Sequence, residues 1–170
     1  NSLDTDKHQP ILFLSPDPAE SVRTRESVLR ALNLMKKTVP EFAGEFEALV
    51  VDVILAAAAK EKGAMRFDGG SSYMLWGALV LSVDDQKSDL EMMETLAHEG
   101  SHSFLFGMTM EEPLVGNSDD ELYPSPLRPD PRPMDGIYHA TYVSARMYYA
   151  LHQARLSGLL DSAQLIECDA

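Results

Sequence analysis

Thr95-Leu96-Ala97-His98-Glu99-Gly100-Ser101-His102-Ser103-Phe104 is the stretch from which the rest of the chain is read. It contains a His-Glu-x-x-His motif, His98 to His102, inside a segment with helical periodicity. Residues four apart on an α-helix lie one above the other on the same face. Two imidazoles so placed can grip one divalent ion, and the carboxylate of Glu99 can stand beside that ion without ligating it.

The helix is predicted without the motif. Ser88-Asp89-Leu90-Glu91 has the form of a capping box, a helix start. From there Leu90, Met93, Ala97, Gly100, Phe104 and Met108 recur at helical spacing, widened by Leu96, and Gly107 reads as the stop. That stripe points away from the His98/His102 edge, so one face packs on a core and the other faces a cleft. The plain alternative is a solvated helix whose histidines fall four apart by chance. Against it, three of the chain's five histidines join one constellation.

At 170 residues the chain reads as one domain, 1–170, with residues 1–10 a polar, mobile tail. Apolar residues make up 45% of it, as in ordinary globular proteins. One cysteine, Cys168, excludes an internal disulfide, fits a reducing, cytoplasmic compartment, and leaves any metal to nitrogen and oxygen ligands. No stretch reads as a membrane span or signal peptide. A net charge of −13 argues against nucleic acid and anionic membrane as partners and suits a basic peptide. Oligomeric state is not legible.

Along the chain, Ile11 to Leu14 reads as a short strand or docking segment, followed by a helix from about Pro18 to Lys37. The segment from Glu41 to Lys60 reads as helix running into strand, Gly69 to Ser72 as a turn between two short strands, and Ala78 to Val83 as the second strand. A second long helix is predicted from about Ile137 to Leu156. The fold class is α+β, mainly helical, with a zincin-like metal-binding helix packed on a small mixed sheet.

Between the two helices, Glu111 to Asp135 is rich in proline and acidic residues. Proline fixes φ and restricts the residue before it. Arg128 and Arg132 are therefore held at defined positions, either to bind a carboxylate in bidentate fashion or simply to pair with nearby Asp or Glu. His139, on the second helix, is the third metal ligand that a His-Glu-x-x-His site needs. It is preferred to Glu121, which lies in a poor helix context. His8 and His152 read as surface residues.

From His98 to about Tyr149 the chain resembles the HExxH-motif proteins of peptide natural-product (RiPP) biosynthesis, and among them the 2-oxoglutarate-dependent HExxH-type peptide β-hydroxylases. Besides the motif, the resemblance rests on Ser125-Pro126-Leu127-Arg128, Pro131-Arg132-Pro133-Met134-Asp135-Gly136 and Ile137-Tyr138-His139. It implies iron(II) held by His98, His102 and His139, with 2-oxoglutarate as cosubstrate. Arg128 or Arg132 would meet the cosubstrate's distal carboxylate, with Arg146 in reserve, and Glu99 would orient water or cosubstrate. The implied activity is a dioxygenase that hydroxylates Cβ in a peptide. Three histidines depart from the usual facial triad, which includes one carboxylate. The alternative is a zinc metallopeptidase with Glu99 as general base. A non-catalytic peptide-binding domain is a third reading.

Overall fold

The computed structural model describes residues 12–59, 66–127 and 129–169. Its central element is helix α3 (Asp89–Met108), which carries the His-Glu-x-x-His motif. The capping box is formed: Ser88 Oγ accepts from the Glu91 amide at 3.0 Å, and Glu91 Oε2 accepts from the Ser88 amide at 2.7 Å. Such a cap contributes about 1 kcal/mol. The helix does not stop at Gly107; it runs on to a cap at Thr109. Gly107 has a spatial role instead, because a Cβ there would lie 3.1 Å from Trp76 Cζ2.

Two helices precede the sheet, α1 (Pro18–Thr38) and α2 (Pro40–Leu49). Asp17 caps α1 by accepting from Ala19 and Glu20 amides, and Pro18 occupies the first turn, where its missing N–H costs nothing. The second segment resolves as predicted into helix and then strand β2 (Asp52–Ala58). Strand β1 (Phe13–Leu14) pairs antiparallel with β2, and strand β4 (Ala78–Ser82) pairs parallel with β2, Asp52 facing Ala78. Gly69 to Ser71 is not a turn. It is edge strand β3 (Gly69–Ser71), antiparallel to β4, so the mixed sheet runs β1-β2-β4-β3. Glycine is needed there because a Cβ at Gly69 would come within 2.9 Å of Glu99 Oε1 on α3.

The core lies where α1, α2 and α3 meet β4: Met35, Val39, Leu79, Leu81, Met93 and Leu96 are fully buried. Leu90, Met93, Leu96 and Ala97 follow the predicted stripe, but Phe104 is half-buried and Met108 is 56% exposed. The opposite edge, with His98, His102 and Phe106, is half-buried, because helix α4 (Met134–Leu156) packs along α3. Ser101 and Leu105, beside the stripe, are buried as well. A ribbon of β5 (Leu122–Tyr123) and β6 (Arg132–Pro133) closes the proline-rich segment and delivers the chain into α4. Helix α4 starts at Met134, three residues before the predicted start at Ile137, which puts Asp135 in its first turn, where a carboxylate complements the helix dipole. A short helix α5 (Ser162–Cys168) follows.

The architecture is thus α+β, mainly helical, with a small mixed sheet. No helix among the described residues is long and apolar enough to cross a membrane. The predicted tail at 1–10 lies outside the described residues.

Candidate metal centre

Three imidazoles meet between α3 and α4. His98 Nε2 lies 3.2 Å from His102 Nε2, as the four-residue spacing requires, and His102 Nδ1 lies 3.3 Å from His139 Nδ1. Two metal–nitrogen bonds of roughly 2.1 Å hold their nitrogens about 3.0–3.4 Å apart in octahedral or tetrahedral geometry. Both separations fall in that range. The three nitrogens do not yet point at one spot, since His102 turns a different nitrogen to each neighbour. Accordingly, the described residues contain no ready-made three-donor cage. Gathering all three around one ion requires an imidazole to turn about χ2, a broad torsion.

Proton bookkeeping shows why an ion suits this arrangement. At one end His98 Nδ1 sits 3.0 Å from the Met147 sulfur; at the other, His139 Nε2 faces an Asp135 carboxylate oxygen at 3.7 Å. A thioether and a carboxylate are both acceptors. The three close contacts, Met147–His98, His98–His102 and His102–His139, each take one N–H, and three neutral imidazoles carry three. Asp135 lies beyond hydrogen-bond distance and adds a carboxylate beside His139. An added proton is disfavoured on the two rings of the motif. Burial, then the neighbouring His98 and His139, pushes the His102 pKa down to about 3. Burial lowers His98 too, more than Asp68 raises it. Rings kept neutral retain lone pairs that can be offered to a metal ion, with the Met147 sulfur as acceptor for a proton on the outer nitrogen of His98. Such outer partners fix the tautomer of metal-bound histidines.

Glu99 stands on the next face of α3, 5% exposed, under the backbone of β3. Burial pushes its carboxyl up to about 7, with the Ser71 hydroxyl pulling the other way. Its Oε2 is buried with no close hydrogen-bond partner, as are Arg132 Nε and, on α1, Ser27 Oγ. Orphaned buried polar atoms are uncommon in folded proteins and mark places where a ligand, ion or water can complete the structure. Two of these lie on the motif and on the segment leading into α4.

The arginines separate. Arg132 pairs through Nη2 with Asp130 at 2.9 Å and keeps Nε unsatisfied at the entrance to α4. Arg146 is engaged twice: Nε donates to Ser101 Oγ at 2.9 Å, Nη2 pairs with Glu45, and its guanidinium lies 4.1 Å above the Phe42 ring. Arg128 lies outside the described residues, as does His8. Glu121, the rejected third ligand, is exposed and bonded to Tyr123 and Asn117. His152 is half-buried and stacks on Tyr148, away from the motif's rings.

Several residues were not singled out in the sequence. Asp135 was detectable, since it precedes His139 by four on one helix. Phe106 follows His102 by four, and its ring packs against both His102 and His139. Met147 carried no signal, because its contact with His98 depends on how α4 docks. The chain matches no protein-family profile and no curated protein with significant similarity.

Proposed function

We propose that this chain is an iron(II)- and 2-oxoglutarate-dependent oxygenase that hydroxylates Cβ of a residue in a ribosomally made peptide, in a cytoplasmic, reducing setting. The observation that carries the reading is the meeting of His98, His102 and His139 from two helices, with ring nitrogens 3.2 and 3.3 Å apart. These imidazoles would hold the iron. Three protein ligands leave coordination positions open for cosubstrate and oxygen, which together supply the oxidising power for C–H hydroxylation.

The chain's own groups have separable tasks. Met147 would hold a proton on the outer nitrogen of His98, and Asp135, 3.7 Å from His139 Nε2, would favour one there, leaving the inner nitrogens to an ion. Phe106 covers two of the rings and limits water. Arg132 pairs with Asp130 through Nη2 but keeps a buried Nε unsatisfied, the donor that would meet a carboxylate such as the distal group of 2-oxoglutarate; Arg128 shares that role as an expectation. Arg146 is already neutralised by Glu45, which leaves little of it for a cosubstrate. Glu99 holds or releases a proton beside the centre. Anaerobic loading with iron(II), then oxygen and candidate peptides, tests the reading by intact mass. A product one oxygen heavier, formed only with 2-oxoglutarate and with matching succinate, is expected.

One observation favours a zinc metallopeptidase instead. A buried Glu99 with an unsatisfied oxygen and a pKa near 7 is suited to accept a proton from a metal-bound water. On that reading Glu99→Gln abolishes peptide cleavage by the zinc-loaded protein, and 2-oxoglutarate has no effect.

A further inference from the structure

Beside the histidine cluster the surface changes character. Phe106, which packs against His102 and His139, also receives the edge of Tyr73 at 6.0 Å between ring centres. Tyr73 is 49% exposed and opens the short 3-10 turn Tyr73–Leu75 that follows β3. Met74 is 75% and Trp76 44% exposed. Trp76 is pinned nevertheless: Nε1 donates to the Ser103 carbonyl at 3.0 Å, and its ring lies against Gly107. Met108 and Met110, both more than half exposed, extend the patch past the end of α3. Fixed aromatic rings and mobile thioethers left in water are costly unless something covers them, and such patches mark interaction sites. Tyrosine and tryptophan dominate binding surfaces because they present large rigid area.

The surrounding charge narrows the occupant. No lysine or arginine occurs between Lys87 and Arg128. Glu111 and Glu112 follow Met110 directly, are exposed, and take no ion pair among the described residues. We propose that the face formed by Tyr73, Met74, Trp76, Phe106, Met108 and Met110 docks the peptide substrate, gripping an aromatic or large aliphatic residue that is followed or preceded by lysine or arginine. This rests on the oxygenase reading, because the patch reaches the metal centre through Phe106. A residue gripped on Tyr73 and Trp76 leaves a neighbour in the same extended peptide free to reach the imidazoles.

The test is selection of displayed random heptapeptides on the full chain, using the metal-free His98→Ala variant so that docking is read apart from chemistry. The expected consensus has one large apolar position and an adjacent basic one. Binding should shift the emission of Trp76, the chain's single tryptophan. It should weaken about tenfold in Tyr73→Ala and in Met74→Lys, be restored by Tyr73→Phe, and fall with salt and with Glu111→Lys. No enriched peptide, a consensus without the apolar or the basic position, or affinity indifferent to Tyr73 and Met74 overturns the proposal. So does self-association of the chain that Tyr73→Ala abolishes, which would give this face to a second copy. Docking that survives while the wild-type centre binds no metal overturns the oxygenase reading alone.

Discussion

Helices α3 and α4 trap two groups of polar side chains between them, and the two differ in one respect. Around Arg146 the charge is met: Glu45 balances it, Ser101 takes one N–H, and the rings of Phe42, Phe104 and Tyr142 line the guanidinium. Around His102 no charged partner lies within hydrogen-bond distance among the described residues. Three imidazoles face one another and the Met147 sulfur, and Glu99 Oε2 is buried without a close partner on the adjoining face. A closed polar cluster can hold a fold together without a ligand. An open one costs stability until something fills it, and so is the better candidate for function.

The largest effect should come from deleting a member of the open cluster. His102→Ala should lower affinity for cobalt(II) or zinc by about a thousandfold, measured by competition with a chromophoric chelator. It should also erase the rise in melting temperature that metal gives the wild type. Metal affinity like that of the wild type would remove His102 from the centre.

Glu99 gives the next largest effect, in the metal-free protein. Its folded pKa, about 7, stands above the ordinary 4.5, so the folded state binds the extra proton. Stability from this group is complete below about pH 4.5, falls as pH rises, and is lost through pH 7. The shift corresponds to roughly 3 kcal/mol, and Glu99→Gln should flatten that part of the pH profile in denaturant melts. A variant with the wild-type slope would show that this carboxyl is not the titrating group.

Breaking the closed cluster should do the opposite of deleting His102. Arg146→Ala should cost about 2 kcal/mol in urea melts, through lost ring packing and an unpaired Glu45, while metal affinity stays put. Replacing both partners, Arg146→Met with Glu45→Gln, should recover part of that loss. A fall in metal affinity instead would tie Arg146 to the centre.

The smallest expected change is at the rim of the open cluster. Met147→Leu removes the acceptor for His98 Nδ1, and Asp135→Asn weakens the one facing His139 Nε2. Each should reduce metal affinity about tenfold without changing stoichiometry. Met147→Gln, which restores an acceptor, should recover it.

Much of this contrast was readable in the residues. The capping box at Ser88 and the spacing of His98 and His102 set the helix and its ring pair, and the helical context of His139 supplied the third. Local pattern sufficed because each feature depends on neighbours within one turn. Glycine pairs usually make turns, so the pattern at Gly69 to Ser72 predicts one; here Gly69 lets β3 come close to Glu99, a contact between segments far apart in sequence. Arg146 was legible as a cation on the face of His139, but its neutralisation by Glu45 depends on how α2 packs against α4, which no local pattern records. That Met147 and Asp135 stand at the two ends of the ring cluster emerges only once α4 is docked on α3.

The central claim is that imidazoles from α3 and α4 share one ion. An anomalous difference map from crystals of the cobalt(II)-loaded chain, collected at the cobalt edge, addresses it most directly. One peak about 2.1 Å from a nitrogen of each of His98, His102 and His139 is the predicted result. Cobalt bound elsewhere, or held by the α3 pair with His139 turned away, would contradict it.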